Sequence, residues 1–470
     1  MAALHDLSTA ELGRAYAARE LSPVDVAQAV LAHMARCEPQ LQATWALDAE
    51  AALVQARGSE IRWKRGEQRG VLDGVPVTLK ENIATRGCPL PLGTAATELV
   101  PAAEDAPPAA RLREAGAVML AKTTMPDYGM LSSGLSSFHQ QFGRLTRNPW
   151  DLHKNPGGSS AGAGAAAAAG YGPLHLGTDI GGSIRLPAAW CGVVGFKPSN
   201  GRVPIKPPYL GRVAGPLTRT VEDTALMMAC LSLPDDRDAT RLPYQPLPWG
   251  QVASAPVELL RGLRMGVQRD AGWGLPVDAD IAAALQDAAR RFEAAGAIVG
   301  ELQPFTTREM ADGINLFWRT RSWLDIRALP AERRAKVLPF IRDWVAAAEG
   351  FSAAQVFHGY SQFGALRDAA SAASAAFDVV ISPVAPVSAF PAEWAMPTND
   401  PLRAMEHIAF TLPFNVSEQP SVSVPCGFTA AGLPIGLQIT GPRHDDITVL
   451  RVARAFEQIR APLRAYPQLP

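Results

Sequence analysis

A run of alanine and glycine, AGAGAAAAAG at residues 161–170, constrains the fold more than any other stretch of this 470-residue chain. Ser159 and Ser160 precede the run and can cap the N-terminus of a helix. A helix whose side chains have almost no volume allows its backbone to approach a neighbouring sheet closely. The run therefore predicts a tightly packed central helix with two serines at its start.

The pattern on either side of this helix predicts an α/β fold. Residues 1–65 carry two capping signals and apolar residues at helical spacing, which predicts an N-terminal helical segment. From Leu72 to about residue 200, and again near residue 260, helices, glycines and short apolar strands alternate. We expect one domain over 1–470, built on a large, mostly mixed β-sheet with helices on both faces.

Residues 236–376 are the least regular part of the chain. They begin with a proline-rich stretch, and residues 305–376 then have helical spacing with clustered aromatics in INLFWRTRSWLDI. Core packing of a helical cap accounts for Phe317 and Trp318, and the wall of an apolar substrate pocket is the alternative. We expect 236–376 to be a variable, partly helical insertion that forms part of the pocket.

Composition narrows the class of protein. The 44 Lys and Arg residues nearly balance 45 Asp and Glu residues, which predicts no electrostatic attraction to nucleic acid or to an anionic membrane. The start, MAALHDLSTAEL, lacks the features of a signal peptide, and no apolar run is long enough to span a bilayer. Five widely spaced cysteines without a CxxC pair indicate reduced thiols and no zinc site. We expect a cytoplasmic protein.

The stretch HLGTDIGGSIRLP contains Ser183 among glycines but no base that could deprotonate it. A phosphate-binding P-loop is excluded because the chain has no Gly-Lys dipeptide, and GAGAAA lacks the third glycine of a dinucleotide fingerprint. A G-x-S-x-G pattern formed by Gly158, Ser160 and Gly162 would make Ser160 the nucleophile of a strand-to-helix elbow. The preceding NPWDLHKNP does not have the pattern of a strand, which argues against that elbow.

Four segments resemble the amidase signature family of serine hydrolases. They are NPGGSSAGAGAAAAAGYGPLHLGTDIGGSIRLPAAWCGVVGFKPSNGRV, GVPVTLKENI, GAVMLAKTTMPDYG and LPFNVSEQPSVSVPCGFTAAGLPIGLQITGP. The resemblance covers most of the chain and is weak over 236–376. One departure is Ala161 in GGSSAG, where the family commonly has glycine; the added methyl group is small and does not put catalysis in doubt.

The resemblance implies a Ser–cis-Ser–Lys triad formed by Lys80, Ser159 and Ser183. In this arrangement Ser183 is the nucleophile, and Ser159 relays its proton to Lys80. Lysine can act as a base only when it is neutral, and burial lowers its pKa. We therefore expect Lys80 to be buried without a carboxylate beside it, and a cis peptide bond at Ser159. No metal or cofactor is required.

The residues around Ser183 have expected supporting roles. Because glycine permits unusual backbone angles, consecutive N–H groups can converge on one oxygen and form an oxyanion hole. The expected donors are Ile180, Gly181, Gly182 and Ser183 itself. Asp179 and Arg185 are expected to pin this loop as a buried pair. The expected pocket lining comprises Gly129, Met130, Leu131, Ser132, Phe317 and Trp318.

The resemblance implies a hydrolase that cleaves the C–N bond of small or aryl amides, with esters and carbamates (urethanes) as further substrates. The alternative is a glutamine-hydrolysing A subunit of a tRNA-dependent amidotransferase complex, which would require a more polar pocket than the candidate lining offers. For the first hypothesis we expect a small-molecule amide, ester or carbamate, and neither nucleic acid nor membrane as partner. The sequence leaves a homodimer open.

Overall fold

A computed structural model describes residues 3–469 and contains one eleven-stranded mixed sheet. The strands are β1 (Thr44–Trp45), β2 (Pro76–Lys80), β3 (Val118–Thr123), β4 (Leu174–Asp179), β5 (Val194–Lys197), β6 (Val213–Thr218), β7 (Arg264–Val267), β8 (Ile298–Glu301), β9 (Val379–Pro383), β10 (Ser421–Phe428) and β11 (Pro434–Thr440). Their order across the sheet is β1-β3-β2-β4-β6-β5-β10-β11-β9-β7-β8. The predicted mixed sheet is confirmed.

Helices cover this sheet. They are α1 (Thr9–Ala18), α2 (Pro23–Leu41), α3 (Ala49–Arg65), α4 (Pro107–Glu114), α5 (Ser137–Gln140), α6 (Ala161–Ala169), α7 (Arg185–Cys191), α8 (Val221–Leu231), α9 (Ala279–Ala294), α10 (Arg308–Arg327), α11 (Ala331–Arg334), α12 (Pro339–Ala346), α13 (Ala353–Ser374), α14 (Leu412–Val416) and α15 (Asp446–Ile459). Capping boxes begin α1 at Ser8 and α2 at Ser22. Between residues 3 and 469, none of the helices has the length and apolar character needed to cross a membrane.

The alanine-rich segment forms α6, and all nine of its residues are buried. A side chain at Gly162 would run into the carbonyl oxygen of Ala43 and the amide of Thr124. The small side chains therefore serve close backbone approach, as the composition of the segment predicts.

The central strands bring two parts of the sequence to one edge of the sheet. β2 lies between β3 and β4 and is parallel to both, with Leu79 opposite Leu176. The carboxyl ends of parallel neighbours meet at the same edge. Lys80 at the end of β2 and Asp179 at the end of β4 therefore lie at that edge, where a candidate site is expected.

Residues 236–376 contribute more than a helical insertion. Within them, β7 and β8 extend the sheet, with β7 parallel to both β8 and β9, and α9 connects the two strands. The helical part begins at Arg308, where α10 starts and packs along α13. One face of α10 reaches back toward the loop that follows β4.

Candidate active site

Lys80 is fully buried, and in the described part of the chain its amine is bonded only to neutral groups. Its Nζ donates to Ser159 Oγ at 2.7 Å and to Thr178 Oγ1 at 3.0 Å, with a longer contact of 3.5 Å to the Thr178 carbonyl oxygen. No carboxylate of residues 3–469 forms an ion pair with Lys80. The amine thus lies in the protein interior with two hydroxyl groups as its main partners.

The surroundings of Lys80 favour its neutral form. Burial lowers the pKa of the Lys80 amine well below its usual value, and the positive charge of Arg212 lowers it further. The negative charges of Asp179 and Glu81 raise the pKa of Lys80 and oppose this shift only partly. A lysine whose neutral form is favoured in this way can accept a proton from a hydroxyl group.

Ser159 stands at the start of α6, directly after a cis peptide bond between Gly158 and Ser159. Its side chain is buried and accepts the hydrogen bond from Lys80. Gly129 lies opposite, so close that a Cβ at this position would be 3.2 Å from Ser159 Oγ. Of the residues expected to line the pocket, Gly129 is therefore the one placed against this serine.

Ser160 is held differently from its neighbour. Its Oγ donates to the carbonyl oxygen of Thr178 at 3.1 Å and accepts from the Thr178 amide at 3.3 Å. Residues 151–160 contain no strand, so the strand-to-helix elbow required by a G-x-S-x-G nucleophile does not form. The hydroxyl of Ser160 is instead committed to the backbone of β4.

Ser183 occupies the short turn between β4 and α7, beside the serines that begin α6. Its carbonyl oxygen accepts from the amide of Ser160 at 3.1 Å. Within residues 3–469 its Oγ has no hydrogen-bond partner, so the structure contains no direct bond from Ser183 to Ser159. This hydroxyl is therefore free to approach a substrate.

The amides expected to form an oxyanion hole divide into two groups. The amide of Gly182 donates to Asp179 Oδ1 at 2.8 Å, so the structure commits it to the loop rather than to an incoming oxygen. The amides of Ile180, Gly181 and Ser183 have no acceptor in the described part of the chain. These three remain as the candidate donors.

Asp179 and Arg185 form a fully buried ion pair at 3.0 Å that fixes this loop. Burial alone would raise the pKa of Asp179, but Arg185 and several hydrogen bonds hold it well below its usual value. Arg185 also donates to three distant acceptors, namely the Thr411 carbonyl oxygen, Gln438 Oε1 and Asn415 Oδ1. The pair thus anchors the Ser183 turn to the far half of the sheet.

An apolar wall stands over Gly181. A Cβ there would lie 3.2 Å from Ile408 Cδ1 and 3.5 Å from Trp318 Cη2. Leu131 is buried in the same apolar cluster as Trp318, with Met130 packed against it. Trp318 is therefore placed at the site, together with Ile408, which no pattern in the sequence indicates.

Phe317 lies apart from this wall, although it neighbours Trp318 in sequence. Its ring packs against Tyr360 and Phe363 of α13, with centroids 5.3 and 5.5 Å away. Adjacent residues on a helix point about 100° apart, which explains the separation. The structure thus places Phe317 in the helical layer and not against the Ser183 turn.

Ser132 is tied to a buried histidine. Its hydroxyl lies 2.7 Å from His407 Nε2, and burial lowers the pKa of His407 to about 3. The histidine is therefore neutral and shares a hydrogen bond with Ser132. His407 comes from a distant segment that only the fold brings here.

Together, the mixed sheet, the buried lysine and the serine on a glycine turn define a class of α/β enzymes with a serine–lysine site. The family model described as Amidase matches residues 25–450, and the chain belongs to this family of amidase signature enzymes. The resemblance predicted from the sequence is confirmed.

Solved structures and curated relatives extend this comparison. A bacterial aryl acylamidase superposes with a TM-score of 0.88 at 29% identity, covering 97% of both chains. The peptide amidase of Stenotrophomonas maltophilia superposes with a TM-score of 0.83 at 27% identity, covering 99% of both chains. The A subunit of the Myxococcus xanthus glutamyl-tRNA(Gln) amidotransferase is 35% identical over 97% of both chains. That of Picosynechococcus is 31% identical over 96% of this chain and 98% of its own.

These relatives correct one expectation. The expectation of small-molecule partners alone, without nucleic acid, was wrong, because the relatives are named as subunits of a glutamyl-tRNA(Gln) amidotransferase. The expectation came from a formal net charge of −1. Net charge is a sum over the whole chain. It does not describe the charge of the local surfaces that bind other proteins or nucleic acids.

Proposed function

We propose that this chain hydrolyses a carbon–nitrogen amide bond through an acyl-enzyme on Ser183. The observation that carries the proposal is the buried, carboxylate-free Lys80 bonded to Ser159 at 2.7 Å. A serine hydroxyl is a weak nucleophile until a neighbouring base removes its proton, and a neutral lysine supplies that base.

The chemistry follows from these positions. Ser183 Oγ attacks the carbonyl carbon while its proton passes through Ser159 to Lys80. The amides of Ile180, Gly181 and Ser183 hold the oxygen that becomes negative. The proton then returns to the departing nitrogen, the C–N bond breaks, and water hydrolyses the ester left on Ser183. The same steps apply to a carbamate, and to an ester with an alcohol oxygen as the departing atom and a C–O bond as the bond broken, because each presents a planar carbonyl.

Two substrate classes follow, each favoured by a different observation. The amidotransferase relatives, 31% and 35% identical along nearly the whole chain, favour glutamine as the amide and a multi-subunit complex as the setting. The apolar wall of Trp318 and Ile408, together with the similarity to an aryl acylamidase, favours small or aryl amides. The comparisons support the glutamine-hydrolysing role more strongly.

One assay separates the two classes. The purified chain is given 4-nitroacetanilide or glutamine, each with and without the other subunits of a glutamyl-tRNA(Gln) amidotransferase and the tRNA. Glutamine turnover that requires the added components supports the subunit role, and anilide turnover by the chain alone supports the aryl amidase role. If neither amide is hydrolysed under any condition, and a fluorophosphonate does not label Ser183, the proposal is wrong.

A further inference from the structure

A turn formed by residues 209–212 lies beside the Ser183 loop. Arg212 directly precedes β6, whose first residue Val213 pairs with Asp179, so Arg212 lies next to the loop that follows β4. The Arg212 amide donates to the Tyr209 carbonyl oxygen at 3.0 Å, and Gly211 has a positive φ of 70°. Asn415, which also bonds Asp179, donates to the Gly211 carbonyl oxygen. The turn and the nucleophile loop are thus fixed by the same side chain.

The guanidinium of Arg212 has little to bind within the protein. Among residues 3–469, its one side-chain hydrogen bond joins Nη1 to the Pro207 carbonyl oxygen at 3.3 Å. No carboxylate in residues 3–469 forms an ion pair with it, although the side chain is partly buried. A guanidinium has five N–H donors, so most of this hydrogen-bonding capacity is unused.

A second cation faces the same turn. Arg321 of α10 stacks on the Tyr209 ring, with Cζ 4.4 Å from the ring centroid. Arg321 Nε lies 3.9 Å from Asp325 Oδ2, at the outer limit of an ion pair. Burial lowers the pKa of Arg212, and the charge of Arg321 lowers it further. Positive charge therefore accumulates here without a matching carboxylate at Arg212.

Trp318 connects this charge to the reaction centre. It precedes Arg321 by three residues on α10, which places both on one helix face. Its ring lies against Gly181, and its buried Nε1 has no hydrogen-bond partner in the described residues. The surface from Gly181 to Arg212 thus offers N–H donors that lack an acceptor in the described residues. A carboxylate of a ligand only accepts hydrogen bonds and would therefore match these donors.

We propose that Arg212, supported by Arg321, forms an anion subsite, and that the substrate is an amide whose non-reacting end carries a carboxylate. The proposal rests on the amide hydrolysis proposed above and names the substrate class of the same site. Glutamine and aryl amides with a ring carboxylate both belong to this class.

Matched substrate pairs test the subsite. Succinyl 4-nitroanilide is compared with neutral pentanoyl 4-nitroanilide for a carboxylate on the acyl side, and 4-acetamidobenzoate with 4-methylacetanilide for one on the amine side. We expect kcat/KM to favour the anionic member of one pair by about tenfold or more, as for a charge-assisted hydrogen bond. Equal kcat/KM within both pairs overturns the subsite while leaving amide hydrolysis intact, whereas no turnover of any substrate contradicts the hydrolysis itself.

Substitutions of Arg212 and Arg321 test whether these residues cause the preference for anionic substrates. Arg212→Gln is expected to reduce the anionic-to-neutral ratio of kcat/KM by about tenfold, and Arg321→Gln by a smaller factor. Arg308→Gln, at an exposed position on the same helix, is the matched control and leaves the ratio unchanged. A ratio in Arg212→Gln equal to that of the wild type overturns the assignment. If that variant does not fold, the wild-type ratios alone still decide whether the subsite exists.

Discussion

Lys80 Nζ lies 2.7 Å from Ser159 Oγ, and both side chains are buried. The two residues are 79 positions apart in sequence and are brought together by a strand end and a helix start. The parallel pairing of β2 with β4 then places the Ser183 turn at the same edge of the sheet. This contact therefore joins the proposed base to the serine proposed to relay the proton, at the edge of the sheet that also holds the Ser183 turn.

Replacing Ser183 or Lys80, two residues of the proposed triad, is expected to remove nearly all activity. Ser183→Ala deletes the nucleophile and Lys80→Ala the base, and each is expected to lower kcat by at least about a thousandfold. The measurement is steady-state turnover together with fluorophosphonate labelling. Ser160→Ala is the control, because its hydroxyl bonds the backbone of Thr178 and its loss is expected to leave measurable activity. An inactive Ser160→Ala beside an active Ser183→Ala would instead support the elbow nucleophile.

The pH profile is expected to respond to Arg212. A base acts in its unprotonated form, so the acidic limb of kcat/KM follows the pKa of Lys80, which burial and Arg212 lower. Arg212→Gln removes one positive charge, and the pKa of Lys80 then rises. The acidic limb for a neutral anilide therefore moves to higher pH. A limb at the same pH in Arg212→Gln and wild type would contradict the electrostatic link.

Local sequence rules predicted much of this arrangement. Small residues in 161–170 predicted the close-packed helix, and two capping signals predicted the starts of α1 and α2. Both inferences depend on interactions within a few residues or on side-chain volume. The resemblance of the segments around Lys80 and Ser183 to the amidase signature family predicted the residues of the candidate site.

Other parts depend on contacts between distant segments. Asn415 and Gln438 bond Arg185 from more than 200 residues away, and no local pattern marks them. Whether Phe317 or Trp318 faces the site depends on the rotation of α10 against α13, which the spacing of apolar residues did not determine. The commitment of the Gly182 amide to Asp179 likewise required the folded loop.

Two adjacent glycines are expected to tolerate alanine differently. Gly182 has a φ of 123°, and a Cβ there would lie 2.6 Å from Thr411 Oγ1. Gly182→Ala is therefore expected to lower the free energy of unfolding by about 1–3 kcal/mol. Gly181→Ala meets Ile408 and Trp318 at ordinary or slightly tight distances, so it should fold and lose kcat/KM for bulky aryl amides. Denaturant unfolding measures the stability of both variants, and kcat/KM over a series of aryl amides of increasing size tests Gly181→Ala. Equal stability of the two variants would contradict the prediction.

The buried pair of Asp179 and Arg185 is expected to dominate the stability of the nucleophile loop. Arg185→Gln leaves Asp179 buried without its cation, and breaking such a pair costs about 3–5 kcal/mol. Denaturant unfolding measures the loss in free energy of unfolding. Arg308→Gln is the control, because it breaks an exposed pair with Asp312 and is expected to change the free energy of unfolding by less than about 0.5 kcal/mol. Similar midpoints for the two variants would show that the buried pair does not anchor the loop.

The stabilisation by the Asp179–Arg185 pair is expected to depend on pH in a defined direction. Arg185 holds the pKa of Asp179 below its unfolded value of about 3.9, so the stabilisation is fully present above that pH. It is lost as the pH falls through the folded pKa. In Arg185→Gln the buried carboxylate lacks its cation and takes up a proton more readily. The difference in unfolding free energy between wild type and Arg185→Gln is therefore expected to narrow as the pH is lowered from about 7 toward about 4. A difference that stays constant over this range would assign the stabilisation to packing of the Arg185 side chain rather than to its charge.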